Sequence, residues 1–252
     1  MLNRYITLIF FLLSMINPQT TFLITKAKLC RICYSKLTNF SISKNKIFNI
    51  YDSYVYINQP KTKSVCYIFY NNNNIDVCFK GTSTITDICF NIDIYPKLFL
   101  NDKIRLHNGF LKKYLSLREN IIYNLNDIIK KKDIKEISFN GYSSGGALAN
   151  IASLDMSYIY NNITIKCITF GSPRVGNEDF IKTYNSRVFH SIRVVNKNDI
   201  IPLVPPPILY KHVHQPILIE NKNKSFISFN SFNVYKYFKY THSIMTYIKN
   251  LY

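Results

Sequence analysis

The chain has 252 residues and 47% hydrophobic content, enough to bury the core of one large α/β domain or two small ones. Its 32 Lys and Arg against 14 Asp and Glu give a formal charge of +18, yet no dense basic block interleaved with aromatics occurs, which argues against a nucleic-acid surface. Asn, Lys, Ile and Tyr are abundant and Gly, Ala and Trp scarce, the signature of AT-rich coding, so the lysine surplus is read mainly as surface substitution, with a weaker attraction to anionic membrane surfaces.

At the N-terminus, Arg4 precedes an apolar run from Tyr5 to Ile16 that Asn17-Pro18-Gln19-Thr20-Thr21 interrupts. About twenty apolar residues are needed to span a bilayer, whereas roughly 7–15 suit a signal-peptide core. Residues 1–27 are therefore read as a signal peptide with a small-residue cleavage site at Thr25-x-Ala27, followed by a single domain over 28–252. The alternative is an uncleaved signal anchor, lengthened by Phe22-Leu23-Ile24. The expected location is thus secreted or in a secretory lumen, with membrane tethering as the second choice.

Six cysteines are present, and a secreted chain is expected to pair some of them. Cys30-x-x-Cys33 is the candidate local disulfide. A zinc site needs a second ligand pair, and none has that spacing, so no metal or cofactor is assigned. Val65–Tyr70 and Ile75–Lys80 read as a hairpin around four asparagines. Symmetric closure sets Cys66 opposite Phe79 and Cys78 opposite Tyr67, on opposite faces of the sheet, so both are read as small core residues. Asn39, Asn162 and Asn223 begin glycosylation sequons, at nearly the frequency chance gives in an Asn-rich chain.

Phe110, Tyr114, Leu117, Ile121, Leu125 and Ile128 recur at steps of three and four and predict a helix over 108–132. Glu136–Asn140 is a short strand. Ser144–Tyr160 is a helix holding three of the chain's four alanines, small enough for close packing on a sheet. Ile163–Phe170 is the next strand, 177–186 a helix, Val188–Val195 a strand, and His242–Leu251 a short terminal helix. This alternation implies a largely parallel sheet with helices on both faces.

All seven glycines fall between Gly81 and Gly176, in four motifs: Phe79-Lys80-Gly81-Thr82, His107-Asn108-Gly109-Phe110, Gly141-Tyr142-Ser143-Ser144-Gly145-Gly146 and Phe170-Gly171-Ser172-Pro173-Arg174-Val175-Gly176. The third contains Gly-x-Ser-x-Gly between a predicted strand and a predicted helix, the context of a nucleophile elbow at Ser143. The helix N-terminus that follows would face developing negative charge with backbone N–H groups. A serine nucleophile needs a base, and the base an orienting acid. Among the acids after Ser143, Asp155 lies on the following helix, Glu178 and Asp179 open another, and Glu220 precedes a lysine-rich loop. Asp199 follows a strand at its C-terminal end, where open α/β sheets place their sites, and is the chosen acid. Of His212, His214 and His242, the first two are read as structural and His242, opening the last helix, as the base.

Taken together, these motifs resemble the class 3 lipase family, which includes filamentous-fungal triacylglycerol lipases. The resemblance runs from about Tyr51 to Tyr252. Thr169-Phe170-Gly171-Ser172-Pro173-Arg174-Val175-Gly176-Asn177 is very close to the family pattern. Arg193-Val194-Val195-Asn196 through Asp199-Ile200-Ile201-Pro202 resembles the acid-bearing stretch, and His242-Ser243 the histidine motif. The resemblance implies an α/β-hydrolase fold and an acyl-enzyme mechanism on carboxylic esters of lipids. Ser143 would be the nucleophile, His242 the base and Asp199 the acid. Thr82 and the backbone N–H of Ser144 would form the oxyanion hole, and residues 83–95 a lid. Implied partners are an ester or lipid substrate and a lipid surface. Phospholipase A1 and small-ester esterase are alternatives within the class, and a catalytically silent hydrolase-fold binding protein is one outside it. Three positions depart from the family: Tyr142 stands where His is usual, Ser144 where Leu is usual, and Ile88 at the lid's usual Trp.

Overall fold

The computed structural model describes residues 18–35, 49–81, 93–220 and 240–252. Four short apolar runs lie side by side and parallel at its centre: β3 (Asn74–Phe79), β6 (Glu136–Tyr142), β7 (Thr164–Phe170) and β8 (His190–Asn196). Their residues are buried almost without alternation, as expected of parallel strands covered on both faces. A fifth parallel strand, β9 (Pro216–Ile219), extends one edge. Antiparallel β1 (Ser53–Gln59) and β2 (Ser64–Tyr70) extend the other, giving the order β1-β2-β3-β6-β7-β8-β9. A separate hairpin pairs β4 (Pro96–Phe99) with β5 (Asn101–His107). This is the largely parallel sheet that the alternation of strands and helices predicted, and it fits the α/β-hydrolase fold that the resemblance implied.

Cys66 pairs with Phe79 and Tyr67 with Cys78, the register expected from symmetric closure of the asparagine loop. The two cysteines consequently point to opposite faces. Cys30 and Cys33 are a correction: both are buried free thiols, and the Cys33 thiol donates to the Leu29 carbonyl one helical turn earlier, at 3.5 Å. Cys66, Cys78 and Cys167 are also free and buried. Cys89, Asn39 and Asn223 lie outside the described residues, and Asn162 is exposed in the turn before β7.

One face of the sheet is covered by α2 (Asn108–Lys131), α3 (Ser144–Ile159) and α4 (Glu178–Arg187). The stripe expected on α2 is the stripe it buries, with Leu111 added. Every residue of α3 from Ser144 to Ser157 is buried, which its small side chains permit. That burial includes Asp155, which accepts from Tyr114 Oη and from Arg118 Nε at 2.6 Å, and so holds α3 against α2. Asn177 caps α4, its side chain accepting from the Phe180 N–H at 3.1 Å.

The other face is covered by α5 (Ile244–Leu251) and by α1 (Pro18–Ile32). Residues 18–27, assigned from the sequence to the targeting segment, are here the first part of α1. Ala27, Leu29 and Cys30 are fully buried, and Lys26 is 6% exposed. The Lys26 ammonium pairs with Asp76 Oδ1 at 2.5 Å, and Asp76 also accepts from Tyr51 Oη at 2.6 Å and Asn140 Nδ2 at 2.8 Å. A buried carboxylate deprived of its cation is costly, because neither water nor a neighbour replaces the lost charge. Among the described residues, no helix is long and apolar enough to cross a membrane.

Lys26→Ala is expected to destabilise the protein by about 3–5 kcal/mol, lowering its thermal midpoint by roughly 10 °C. Thermal or urea unfolding of purified protein measures this. A loss under about 1 kcal/mol, the range of surface pairs, would mean that α1 is not fastened to the sheet through Asp76.

Candidate active site

The turn from β6 into α3 leaves Ser143 at φ 60°, ψ −134°, a conformation that β-strand and helix both exclude. The sequence permits it through glycines that have no Cβ to collide. A Cβ on Gly141 would fall 2.1 Å from the Gly145 carbonyl oxygen, and one on Gly145 would fall 2.4 Å from that of Phe79. The tight turn lifts Ser143 to the C-terminal edge of the sheet at the N-terminus of α3. Its backbone N–H donates to the Phe170 carbonyl at 2.9 Å.

His242 approaches from two residues before α5. Its Nε2 lies 2.8 Å from Ser143 Oγ, and its Nδ1 lies 2.7 Å from Asp199 Oδ2. A carboxylate can only accept, so Nδ1 carries the hydrogen donated to Asp199, and Nε2 is left to accept from the serine hydroxyl. Asp199 sits in the loop after β8. Its Oδ2 also accepts from Tyr247 Oη at 2.6 Å, and its Oδ1 accepts from the Ile201 N–H at 2.9 Å. Ser143, Asp199 and His242 are 1%, 3% and 4% exposed, so the line of hydrogen bonds lies in low dielectric, where each is stronger than in water.

Gly171 makes room for this line. It has φ +56°, and a Cβ there would lie 2.7 Å from Asp199 Oδ2 and 3.2 Å from His242 Cε1. From the same loop, Arg174 Nη1 donates to the Pro205 carbonyl at 2.7 Å, which fastens the segment after Asp199.

The structure brings together Ser143, Asp199, His242 and the N-terminus of α3 at Ser144. It sets the other candidates apart. His212 Nε2 is engaged at 2.6 Å by the Pro202 carbonyl, and burial together with the nearby Arg193 charge pulls its pKa down to about 4. His214 Nε2 is 3.2 Å from the Val188 carbonyl. Asp155 serves the α2–α3 contact, and Glu178 pairs with Lys211 at 2.6 Å. Thr82 and residues 83–92 of the expected lid lie outside the described residues. The end of that segment is anchored on α2: the Asn108 N–H donates to the Tyr95 carbonyl at 3.2 Å and the Gly109 N–H to that of Asp93 at 3.0 Å. His107 is buried against Phe110, with ring centroids 4.2 Å apart, and burial lowers its pKa to about 4.

Sequence reasoning marked Tyr142 only as a departure from the family and missed Tyr34 and Tyr247. Tyr247 binds the acid, Tyr142 touches the base, and Tyr34, just beyond α1, packs on Tyr142 with ring centroids 5.8 Å apart. With 20 tyrosines in the chain, no pattern singles out Tyr34 or Tyr247.

The family model described as "Lipase (class 3)" matches residues 77–208, just over half of the chain. A secreted mono- and diacylglycerol lipase of Malassezia globosa is 33% identical over 116 residues, covering 45% of this chain and 38% of that protein. A lipase of Rhizopus niveus is 32% identical over 139 residues, covering 52% of this chain and 35% of that protein. The chain thus spans less than half the length of either relative. The solved structure of Rhizomucor miehei triacylglyceride lipase superposes with a TM-score of 0.71 at 19% identity, covering 80% of each chain.

If His242 is the base and Asp199 its orienting acid, His242→Ala and Asp199→Asn should each cut kcat by about 10⁴-fold on a soluble ester, while His212→Ala and His214→Ala keep it. Steady-state rates, normalised to folded protein by circular dichroism, check this. A folded but inactive His212→Ala beside an active His242→Ala would reverse the assignment.

Proposed function

This chain belongs to the class 3 lipase family, and we propose that it hydrolyses carboxylic ester bonds of lipids by way of an acyl-enzyme. The observation that carries the proposal is the buried hydrogen-bonded line Ser143–His242–Asp199 at the mouth of the elbow.

In the proposed reaction, Ser143 Oγ attacks the ester carbonyl carbon as His242 Nε2 takes its proton. Asp199 holds the ring in the required tautomer and stabilises the imidazolium. The carbonyl oxygen, now an oxyanion, is received by N–H groups at the start of α3, that of Ser144 foremost, and by Thr82 in the role the family resemblance gives it. Collapse expels the alcohol, which leaves with the proton from His242. Water, activated by the same nitrogen, then attacks the acyl-serine and releases the fatty acid.

The substrate class rests on kinship: the Malassezia relative is named as a mono- and diacylglycerol lipase and the Rhizopus relative as a lipase. Acylglycerols are the proposed substrates. Secretion is proposed on the same footing, from the secreted Malassezia relative and the apolar run Tyr5–Ile16. α1 would then remain with the mature domain, because Lys26 is paired inside it. The lysine surplus is proposed to favour anionic lipid surfaces, by an attraction that salt screens beyond about 8 Å at physiological ionic strength.

Ser143→Ala is expected to fold normally, lose about 10⁴-fold or more in kcat, and fail to react with a fluorophosphonate probe that labels the wild type. Unchanged turnover in that variant would remove Ser143 from the mechanism. On vesicles, acylglycerol hydrolysis should be faster with anionic than with neutral lipid, and the difference should shrink as salt rises. Equal rates at low salt would confine the positive charge to a surface role without lipid recruitment.

A further inference from the structure

We propose that Tyr142 is a positioning residue that ties the base to the nucleophile's own backbone. The proposal rests on the hydrolase reading of Ser143 and His242.

Tyr142 is the residue immediately before Ser143, so its main chain is part of the elbow. Its side chain turns to the α5 face of the sheet and is 9% exposed. There its hydroxyl donates to the backbone carbonyl of His242, and its ring lies against the imidazole, with centroids 4.9 Å apart and planes 31° apart. One side chain thus meets both the main chain and the ring of the base.

His242 needs such support. It lies just before the N-cap Ser243, and the α5 amides three and four residues on go elsewhere, that of Met245 to Ser243 Oγ and that of Thr246 to the Ser243 carbonyl. The neighbouring Thr241 carbonyl is held by Asn196 Nδ2 at 2.8 Å, from the end of β8. The Tyr142 hydroxyl does the same for His242 from the end of β6. Two adjacent carbonyls are therefore pinned to two strand ends.

The ring contact supplies what the two imidazole hydrogen bonds do not. Bonds at Nδ1 and Nε2 fix the ring's long axis, and a pivot about that axis is resisted only through the Cγ–Cβ bond to the main chain. A phenol ring packed on one side opposes the pivot. Tyr142 is itself held between Tyr34 at 5.8 Å and Tyr247 at 6.3 Å. Tyr247 donates to Asp199, so the acid, the base and the elbow share one aromatic wall. Histidine, usual in the family at this position, is a shorter side chain without the phenol hydroxyl.

The physical stake is the Nε2–Oγ distance. A general base works within hydrogen-bond reach of the proton it takes, and a misplacement of 1 Å can cost about 10²-fold. Losing one of several restraints should cost less, on the order of tenfold.

The test uses the full chain with Tyr142→Phe, which keeps the ring and deletes the hydroxyl, and Tyr142→His as a second variant. Three quantities are read: the rate of inactivation by a fluorophosphonate, kcat and KM on a soluble short-chain ester, and the thermal midpoint. The expected result is an inactivation rate and a kcat about tenfold lower in folded Tyr142→Phe, with KM unchanged. Tyr142→His should be slowed to a similar degree and serves alone if the Phe variant does not fold. Wild-type rates in the folded variants, a rise in KM alone, or losses that only track the unfolded fraction overturn the proposal. The probe needs no lipid. A wild-type protein that is labelled but hydrolyses no lipid ester fails the substrate reading, while the labelling rates still decide Tyr142. A wild-type protein that is not labelled overturns both.

Discussion

The close approach of three backbones at the elbow is the constraint on which the rest of the structure depends. β3, β6 and the first turn of α3 meet there without side chains between them: the Cβ sites of Gly141 and Gly145 are already occupied by the carbonyls of Gly145 and Phe79. This contact explains how a chain so poor in glycine spends the residue. Elsewhere it accepts left-handed backbone without it, at Lys63 (φ 52°), Leu100 (φ 64°) and His214 (φ 42°), conformations that cost roughly 1–3 kcal/mol each. Even Ser143, at φ 60°, is not glycine. A strained dihedral is tolerable under compositional pressure, whereas two atoms cannot share one volume. Glycine persists where volume, more than φ, is limiting.

The contact has consequences beyond the turn. It fixes the start of α3 directly over the end of β6, so the helix N-terminus and Ser143 share one site. It also sets where Asp199 and His242 must arrive. They come from segments 56 and 99 residues further along the chain, and Gly171 leaves the gap through which Asp199 reaches His242. Asp199 is then the hub of the second half of the fold: one carboxylate accepts from His242, Tyr247 and the Ile201 N–H, joining α5 to the loop after β8.

Much of this was legible because local rules and tertiary needs agreed. The period of α2, the hairpin register at Cys66 and Cys78, and the strand–turn–helix around Ser143 follow from patterns that no distant contact overrode. The preference for Asp199 over Asp155 rested on position alone, a loop past a strand's C-terminal end against the middle of a helix, and the structure sets Asp199 beside His242 and Asp155 beside Arg118. What stayed hidden depends on contacts between distant residues. α1 has an apolar run and a lysine, which the sequence presents as the tail of a leader. Only Asp76, fifty residues away, shows that the lysine is an interior group. The hairpin β4–β5 is short, and the alternation in β5 rests on two apolar residues alone, Ile104 and Leu106. Tyr34, Tyr142 and Tyr247 are distinguished by neighbours and not by spacing. Cys30 and Cys33 satisfied a disulfide spacing but lie on and just beyond a helix, where the Cys33 thiol is used one turn back.

The charge balance follows from the same distinction between groups that hold the fold and groups that do not. With 14 acids for 32 lysines and arginines, acids limit the number of ion pairs. Among the described residues three acids are buried and partnered: Asp76 with Lys26, Asp155 with Arg118, and Asp199 with His242. Others meet lysines at the surface, as in Asp127–Lys131, Asp133–Lys135 and Glu220–Lys197, pairs worth about 0–1 kcal/mol each. Replacing one surface lysine by another polar residue therefore costs the fold little, while removing Asp76 strips the interior Lys26 of its acidic partner. The surplus is a field around the molecule and not a set of bonds within it. It acts on whatever anionic surface the protein meets, and composition can shift it without touching the elbow or the acid–base line.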